Sequence, residues 1–300
     1  MVAVGRNGGV TFAALSPSSE EGTDKSAGGT IIAGQGSIVA LDGGSATYSR
    51  ALFLDFGGDA NGLAGGSRAA QFMLLKQAFT EVRSPKALLP DDQRLLTPAG
   101  REALREFIGG TGIFVFDVDR ASDILQVLSL AQKERVRIAI SGGAEAWRVA
   151  PQLAAAKVPV ILDALEDLPG SFDAVGATLE NAARLNRAGV RVAFTLDTPD
   201  PHNIRKLRQT AGVAVAHGLP WVAGLAGLTS VPAEIFGVAD RFGTIERGRL
   251  ADLVLWSGDP LDVTSLPDRV FIAGKLQPDR SRQTELRDRY LERVRNGMAR

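Results

Sequence analysis

Three aspartates lie where buried strands are expected to end, and carboxylates at such positions can bind metal ions. Asp117 and Asp119 lie at the end of the apolar run 112–118, and Asp197 follows the apolar run 190–196. Carboxylate oxygens are the ligands that Mg²⁺, Mn²⁺ and Ca²⁺ prefer, so an oxygen-ligand site is one interpretation. The other is that these carboxylates cap the following helices or pair with nearby arginines. We favour the second, because two or three carboxylates without a fixed geometry rarely hold a catalytic ion.

Imidazole, a frequent metal ligand and general base, is scarce in this chain. The sequence has 2 histidines and no cysteine, so thiolate metal sites, disulfides and a cysteine nucleophile are excluded. His202 follows a predicted strand, where it would act as a base, contact substrate or cap the next helix, and we favour the cap. His217 precedes Gly218 at a predicted helix end. A cation there suits the helix dipole, and a structural role is expected.

Two arginines near these strand ends, Arg120 and Arg148, are candidates for binding a substrate carboxylate. The planar guanidinium fork matches the geometry of a carboxylate. The alternative, which we favour, is an ion pair with Asp123 or Glu145. No Gly-x-Ser-x-Gly motif occurs, and no serine, histidine and aspartate stand in an order that suggests a nucleophilic triad.

The elements that must position these residues alternate along the chain. Nearly continuous apolar runs, typical of buried parallel strands, are followed by segments with helical periodicity. The predicted strands are 112–118, 136–141, 158–162 and 190–196, and the predicted helices are 97–109, 121–135, 144–156, 173–188 and 202–217. This rhythm predicts a (β/α) barrel or a doubly wound sheet.

The two ends of the chain differ from this pattern. The first residues are predicted to lead into a strand. Gly34 and Gly36 interrupt a β-like run, where they would form either a substrate-contacting loop or a bulge. After Gly218 the features become antiparallel. A charged helix over 281–299 carries apolar residues at helical spacing, and we expect it to pack that face against the body. These apolar residues are Leu286, Tyr290, Leu291 and Val294.

Composition limits the classes of partner. The chain has 300 residues, 45% of them hydrophobic, and its formal net charge is zero. That balance favours neither nucleic acid nor an anionic membrane as a partner. No apolar run is long enough for a transmembrane helix, and the N-terminus does not resemble a signal peptide. The compartment stays open: cytoplasmic, or periplasmic if a signal lies upstream.

The most specific motifs lie near the C-terminus. Thr229–Gly237 is followed by a Gly-Thr-Ile-Glu-Arg-Gly-Arg-Leu-Ala-Asp-Leu-Val-Leu-Trp segment at 243–256 and by a Gly-Asp-Pro-Leu turn at 258–261. These segments resemble the closing part of the amidohydrolase superfamily, and other stretches resemble its imidazolonepropionase-like branch. The resemblance implies an α/β fold: an incomplete TIM-type (β/α) barrel over 1–237, half of a small β-sandwich over 238–278, and a charged helix over 279–300.

The resemblance also implies a chemistry, namely metal-assisted hydrolysis of non-peptide carbon–nitrogen bonds. Family barrels carry a His-x-His pair on the first strand, single histidines on two later strands and an aspartate on the last. Here Asp117 or Asp119 occupies one later histidine position, Ser141–Gly143 occupies the other, and Asp197 matches the last aspartate as catalytic residue and ligand. We therefore expect impaired catalysis and no cofactor, or Zn or Mn if the site is partly retained.

Two further expectations follow from the resemblance. The alternative to an impaired hydrolase is a non-catalytic relative that binds a small molecule or a partner subunit at the same barrel mouth. The family's first barrel strand and N-terminal sandwich half have no counterpart in this sequence. Because a barrel without its first strand has two exposed edges, the chain is expected to be marginally stable or to form homo-oligomers that cover them.

Overall fold

A computed structural model describes residues 2–17, 30–43, 47–58, 60, 62–84, 90, 94–110, 112–166, 169–196 and 201–298. The strands are β1 (Phe12–Leu15), β2 (Ile32–Ala40), β3 (Thr47–Asp55), β4 (Ile113–Val118), β5 (Ile138–Gly142), β6 (Val160–Leu162), β7 (Val192–Phe194), β8 (Leu253–Trp256), β9 (Pro267–Ile272) and β10 (Lys275–Leu276). The α-helices are α1 (Val2–Asn7), α2 (Arg68–Arg83), α3 (Pro98–Ile108), α4 (Ala121–Glu134), α5 (Ala150–Ala155), α6 (Asn181–Arg187), α7 (Leu207–Ala216), α8 (Trp221–Leu228), α9 (Ser230–Ile235) and α10 (Arg282–Met298).

The central sheet has its strands in chain order. Within the described residues it runs from β1 to β7, and a separate sheet has the order β10-β9-β8. The first three strands pair antiparallel, whereas β3 to β7 pair parallel, each followed by at least one helix. This confirms the predicted incomplete (β/α) barrel with a small antiparallel sheet. The register of β2 shifts on either side of its two glycines, which agrees with the bulge interpretation of Gly34 and Gly36.

The two faces of the parallel strands bury different layers. Alternate residues such as Phe114, Phe116 and Ile140 pack against the surrounding helices in the largest core. The intervening residues, such as Phe53 and Val115, face a second core formed with α9 and the residues that follow it. The Phe53 and Phe236 rings stack there, with centroids 6.5 Å apart. Residues 231–242 therefore fill the inner side of the half-barrel.

The small antiparallel sheet has its own core. Val270 and Ile272 of β9 are buried together with Leu41, next to apolar residues of β1 and β2. The β1–β2 hairpin thus covers part of this sheet. Within the described residues, no helix is both long enough and apolar enough to span a bilayer.

Three local predictions were wrong. Residues 2–7 form a helix instead of leading into a strand, and Gly5 of that helix packs closely against Ile204. The predicted helix 173–188 is helical only over 181–187, because the preceding segment is held by tertiary hydrogen bonds described below. The apolar residues of α10 are 37–57% exposed, so no apolar face of it packs on the body. Packing α10 against the body would remove water from the charged side chains that flank these apolar residues, which costs free energy.

The helices after β4 to β7 end alike. In α4, α5, α6 and α7 the chain turns through a left-handed residue, and the next amide donates to a carbonyl five residues back, as in the Schellman motif. Glycine is the usual residue at such a position, because it has no Cβ atom to clash. The left-handed residues here are Arg135 (φ 53°), Lys157 (φ 54°), Gly189 (φ 91°) and Gly218 (φ 98°).

Candidate functional site at the strand ends

Polar residues form a layer at the carboxyl ends of the parallel strands, the position of the active face in barrels of this type. Asp55 of β3 lies beside Asp117 of β4, which lies beside Ser141 of β5. Asp163 and Thr195 directly follow β6 and β7, whose last residues also pair. We call these five residues the strand-end layer. Asp55 was missed from the sequence, although it ends an apolar run just as Asp117 does.

The carboxylates of Asp117 and Asp119 approach each other over Gly142. A Cβ atom at that position would lie 2.6 Å from Asp119 Oδ1 and 3.0 Å from Asp117 Oδ1. Gly142 has a φ of 76°, so both the space and the backbone favour glycine. The amide N–H of Ala144 donates to Asp119 Oδ1 over 3.1 Å. Asp119 therefore helps to shape the turn after β5.

Glu145 is a buried carboxylate that joins three loops. Its Oε2 atom accepts from the amide N–H of Ala121 over 3.1 Å, and its Oε1 atom accepts from the amide N–H of Gly176 over 3.0 Å. The carbonyl of Gly176 accepts in turn from Trp147 Nε1 at 2.8 Å. These bonds fix the segment before α6 in a non-helical path.

Arg68 forms a second bridge across the same end of the sheet. Its guanidinium donates to Asp123 at the start of α4 and, over 2.5 Å, to Asp173 in the loop after β6. The amide N–H of Gly58 donates to the other Asp173 oxygen over 2.6 Å. Burial alone would raise the pKa of Asp173, but the hydrogen bonds from Arg68 and Gly58 outweigh it, so the pKa lies below its ordinary value.

The two candidate substrate-binding arginines are both exposed at this end of the barrel. Arg148 lies 3.6 Å from Glu145 Oε1, the ion pair that we favoured as the alternative, and its guanidinium lies over the Trp147 ring. Arg120 makes no ion pair with Asp123 or Glu145 but attracts the Asp173 carboxylate electrostatically. A role for either arginine in binding a substrate carboxylate stays a prediction.

Two other predicted site residues fall outside what the structure describes. Asp197 belongs to the segment 197–200, which lies outside the described residues, so its catalytic and ligand roles stay predictions. His202 lies in the 3-10 helix Pro201–Lys206, but its side chain is also outside the described part. His217 follows α7, and its Nδ1 atom lies 2.9 Å from the Val213 carbonyl oxygen, which agrees with a structural role.

The donor groups that the structure describes at this end do not fit a catalytic metal ion. A catalytic zinc site takes three protein ligands, usually including histidine. Among the described residues no group of three or more His, Cys, Asp or Glu side chains is placed to hold an ion. Asp117 and Asp119 supply carboxylates only, and Asp119 already accepts a backbone hydrogen bond.

A sequence model of the amidohydrolase family matches residues 97–280. The chain belongs to the amidohydrolase family. It is 41% identical over 95 residues to an imidazolonepropionase of Aromatoleum aromaticum, covering 31% of this chain and 23% of that protein. It is 35% identical over 98 residues to an imidazolonepropionase of Acidiphilium cryptum, covering 32% and 24%. These matches confirm the imidazolonepropionase-like resemblance, and the chain spans less than a quarter of either relative.

A solved structure supports the fold over nearly the whole chain. The amidohydrolase from Thermotoga maritima MSB8 superposes with a TM-score of 0.80 at 26% sequence identity, covering 93% of this chain and 74% of that one. The prediction of an incomplete amidohydrolase barrel is thereby confirmed.

Proposed function

We propose that this chain descends from hydrolases of carbon–nitrogen bonds and is impaired in metal-dependent hydrolysis. The observation that carries the proposal is the make-up of the strand-end layer: three aspartates, a serine and a threonine, without an imidazole. Metal-assisted hydrolysis requires an ion that lowers the pKa of bound water and polarises the carbonyl. Asp119, beside this layer, accepts a backbone hydrogen bond, and such a carboxylate is a poor substitute for the histidines that the family uses.

The test is a reconstitution experiment on the purified chain. The protein is stripped of metal, dialysed separately against Zn²⁺ and Mn²⁺, and analysed for bound metal and for hydrolysis of imidazolonepropionate, the substrate class suggested by the relatives' names. We expect no stoichiometric metal and no metal-dependent turnover. One equivalent of tightly held ion together with turnover above the stripped control would contradict the proposal.

A second candidate function is binding of a small carboxylate at the same barrel mouth without catalysis. Arg120 and Arg148 favour it, because both guanidinium groups are exposed beside the strand ends. Phe172 also favours it: its ring is 95% exposed on the loop that Asp173 anchors, and could stack on a ring-containing ligand. Guanidinium groups recognise carboxylates through paired hydrogen bonds.

Calorimetric titration with imidazolonepropionate distinguishes the two candidates. If the mouth binds carboxylates, the Arg120→Gln/Arg148→Gln double variant should bind about tenfold more weakly, since two charge-assisted hydrogen bonds are lost. Arg105→Gln is the control, because among the described residues Arg105 forms its ion pair with exposed Glu102 on α3, away from the barrel mouth. Equal affinity in all three proteins would exclude this binding mode.

A further inference from the structure

A basic groove lies at the opposite ends of the parallel strands. It has a volume of about 1010 Å³ and opens between the last residues of α4 and α5, the starts of β4 to β7, and α9. We call it the basic groove after the cations that line it: Arg135, Arg137, Lys157 and Arg191. Its size is at the upper end of the range for small-molecule sites.

Most of the groove's cations have no acidic partner. Arg191 pairs with Glu234 over 2.8 Å. Among the described residues, no carboxylate forms an ion pair with Arg135, Arg137 or Lys157. The chain as a whole has zero net charge, so this local excess of positive charge is not a consequence of composition. Clustered like charges repel one another, and an anion placed among them is attracted by all of them.

Two of these cations occupy positions where glycine would be more stable. Arg135 and Lys157 are the left-handed residues that end α4 and α5, whereas the equivalent turns after α6 and α7 use glycine. A side chain in this conformation costs about 1 kcal/mol relative to glycine. The chain thus accepts conformational strain at the two turns that line the groove, which suggests that those side chains contribute something other than folding stability.

A simpler explanation covers only part of the cluster. Cations near helix C-termini interact favourably with the helix dipole, which accounts for some benefit at Arg135 and Lys157. It does not account for Arg137, which leads into strand β5. A ligand for the groove accounts for Arg135, Arg137 and Lys157 together.

The rest of the groove lining is largely apolar. Leu125, Ala155 and Ala156 are exposed there, and Leu128 and Val136 are partly exposed. A purely ionic ligand would leave this apolar surface in water, whereas a hydrocarbon or aromatic portion would lie against it and be removed from water. The lining therefore matches a molecule with a charged end and an apolar body.

We propose that the basic groove binds a small amphipathic anion. Its carboxylate or phosphate accepts hydrogen bonds from Arg135, Arg137 and Lys157, and its apolar part lies on the leucine, valine and alanine side chains of the lining. The site is separate from the barrel mouth and independent of whether the mouth retains any catalysis. It assigns a binding role to an end of the barrel that otherwise only closes the core.

The probes for the test are octanoate and octyl phosphate, titrated calorimetrically into the whole chain below their micelle concentrations. Octyl glucoside has the same apolar chain without a charge, and inorganic phosphate has the charge without the chain. We expect saturable binding of an octyl anion, with at least tenfold weaker binding of octyl glucoside and of phosphate. Failure of both octyl anions to bind would overturn the proposal. Binding of polyglutamate (an acidic peptide) or of phosphatidylglycerol vesicles (an anionic membrane) in that case would point to another class of occupant and would not rescue it.

The decisive variant is Arg135→Gly/Lys157→Gly, which removes two cations while relieving backbone strain. Binding of the octyl anion should weaken about tenfold or more, since charge-assisted hydrogen bonds are lost, and thermal stability should not fall. Lys133→Gln/Arg187→Gln is the control, because it removes two exposed charges of α4 and α6 outside the groove. Unchanged affinity in the glycine variant, or an equal loss in the control, would refute the assignment.

Discussion

The two ends of the parallel strands use their charged groups in opposite ways. At the mouth, the carboxylates of Glu145 and Asp173 are buried and accept hydrogen bonds from backbone amides or from Arg68. In the basic groove at the other end, Arg135 and Lys157 have no acidic partner among the described residues. Groups that satisfy one another hold loops in place, whereas unpaired groups are free to bind a ligand.

In barrels of this type the mouth carries the active face, and the opposite end stabilises the fold. At this mouth the turn after β5, the start of α4 and the loop after β6 are joined by internal hydrogen bonds. The following predictions test whether the two ends use their charges in this way, beginning with the largest expected effect.

Removing the bridge at the mouth should have the largest effect. Arg68→Met leaves the carboxylates of Asp123 and Asp173 without their shared cation and should lower the free energy of unfolding by about 2–4 kcal/mol, after allowance for the partly exposed guanidinium. Urea denaturation measures the change, and the exposed pair of Arg105 provides the control, since Arg105→Met should change it by less than about 0.5 kcal/mol. Equal effects of the two substitutions would mean that the mouth is not held by its ion pairs.

Replacing the buried carboxylate of Glu145 should cause the second-largest loss of stability. Glu145→Gln replaces one acceptor oxygen by an amino group that faces a backbone N–H, which should cost about 1–3 kcal/mol in the free energy of unfolding. Arg148→Gln is the matched control, because it removes only the exposed half of the 3.6 Å pair. If both variants were equally stable, the hydrogen bonds from Ala121 and Gly176 would not hold these loops.

The depressed pKa of Asp173 predicts a pH effect with a defined sign. Because its pKa in the folded state lies below the ordinary value of 3.8, the ionised carboxylate stabilises the fold above about pH 4. This contribution is lost as the pH falls through the folded-state pKa. Asp173→Asn should therefore be less stable than wild type at pH 6, and the difference should shrink toward pH 3. A constant difference in urea denaturation across that range would contradict the assignment.

The smallest change in the free energy of unfolding is expected at the left-handed residues that end the helices. Gly189→Arg creates after α6 the strain already present after α4 and α5, and a Cβ atom added at Gly189 would have no neighbouring atom within 4 Å. We expect a loss of about 1 kcal/mol. Arg135→Gly should show a gain of similar size in the same urea experiment. If Gly189→Arg did not lower the free energy of unfolding, arginine and lysine in the left-handed conformation would be unstrained in this protein. The proposal for the basic groove would then lose one of its arguments.

Much of the barrel could be predicted from local sequence patterns. The strand predicted over 112–118 is observed at Ile113–Val118, and the helix predicted over 121–135 is observed at Ala121–Glu134. Buried parallel strands need apolar side chains on both faces, so they leave a continuous signal in the sequence. The same signal placed Asp117 and Asp119 at a strand end.

The candidate sites were predicted less completely. The roles of Arg68 and Glu145 were not recognised, because each joins residues that are far apart in the chain, up to 105 positions for Arg68 and Asp173. The basic groove was not foreseen either. Its cations come from two helix ends and two strand starts, and each of them alone resembles an ordinary surface residue.

The sequence by itself determined the family, the alternation of strands and helices, and the scarcity of histidine at the strand ends. These properties depend on residue type and local spacing. The tertiary structure decided which charges meet a partner, because that depends on how separate loops are brought together by the sheet. It therefore decided that Glu145 and Asp173 are held at one end of the strands. At the other end, Arg135, Arg137 and Lys157 line one groove and have no ion-pair partner in the described part of the chain.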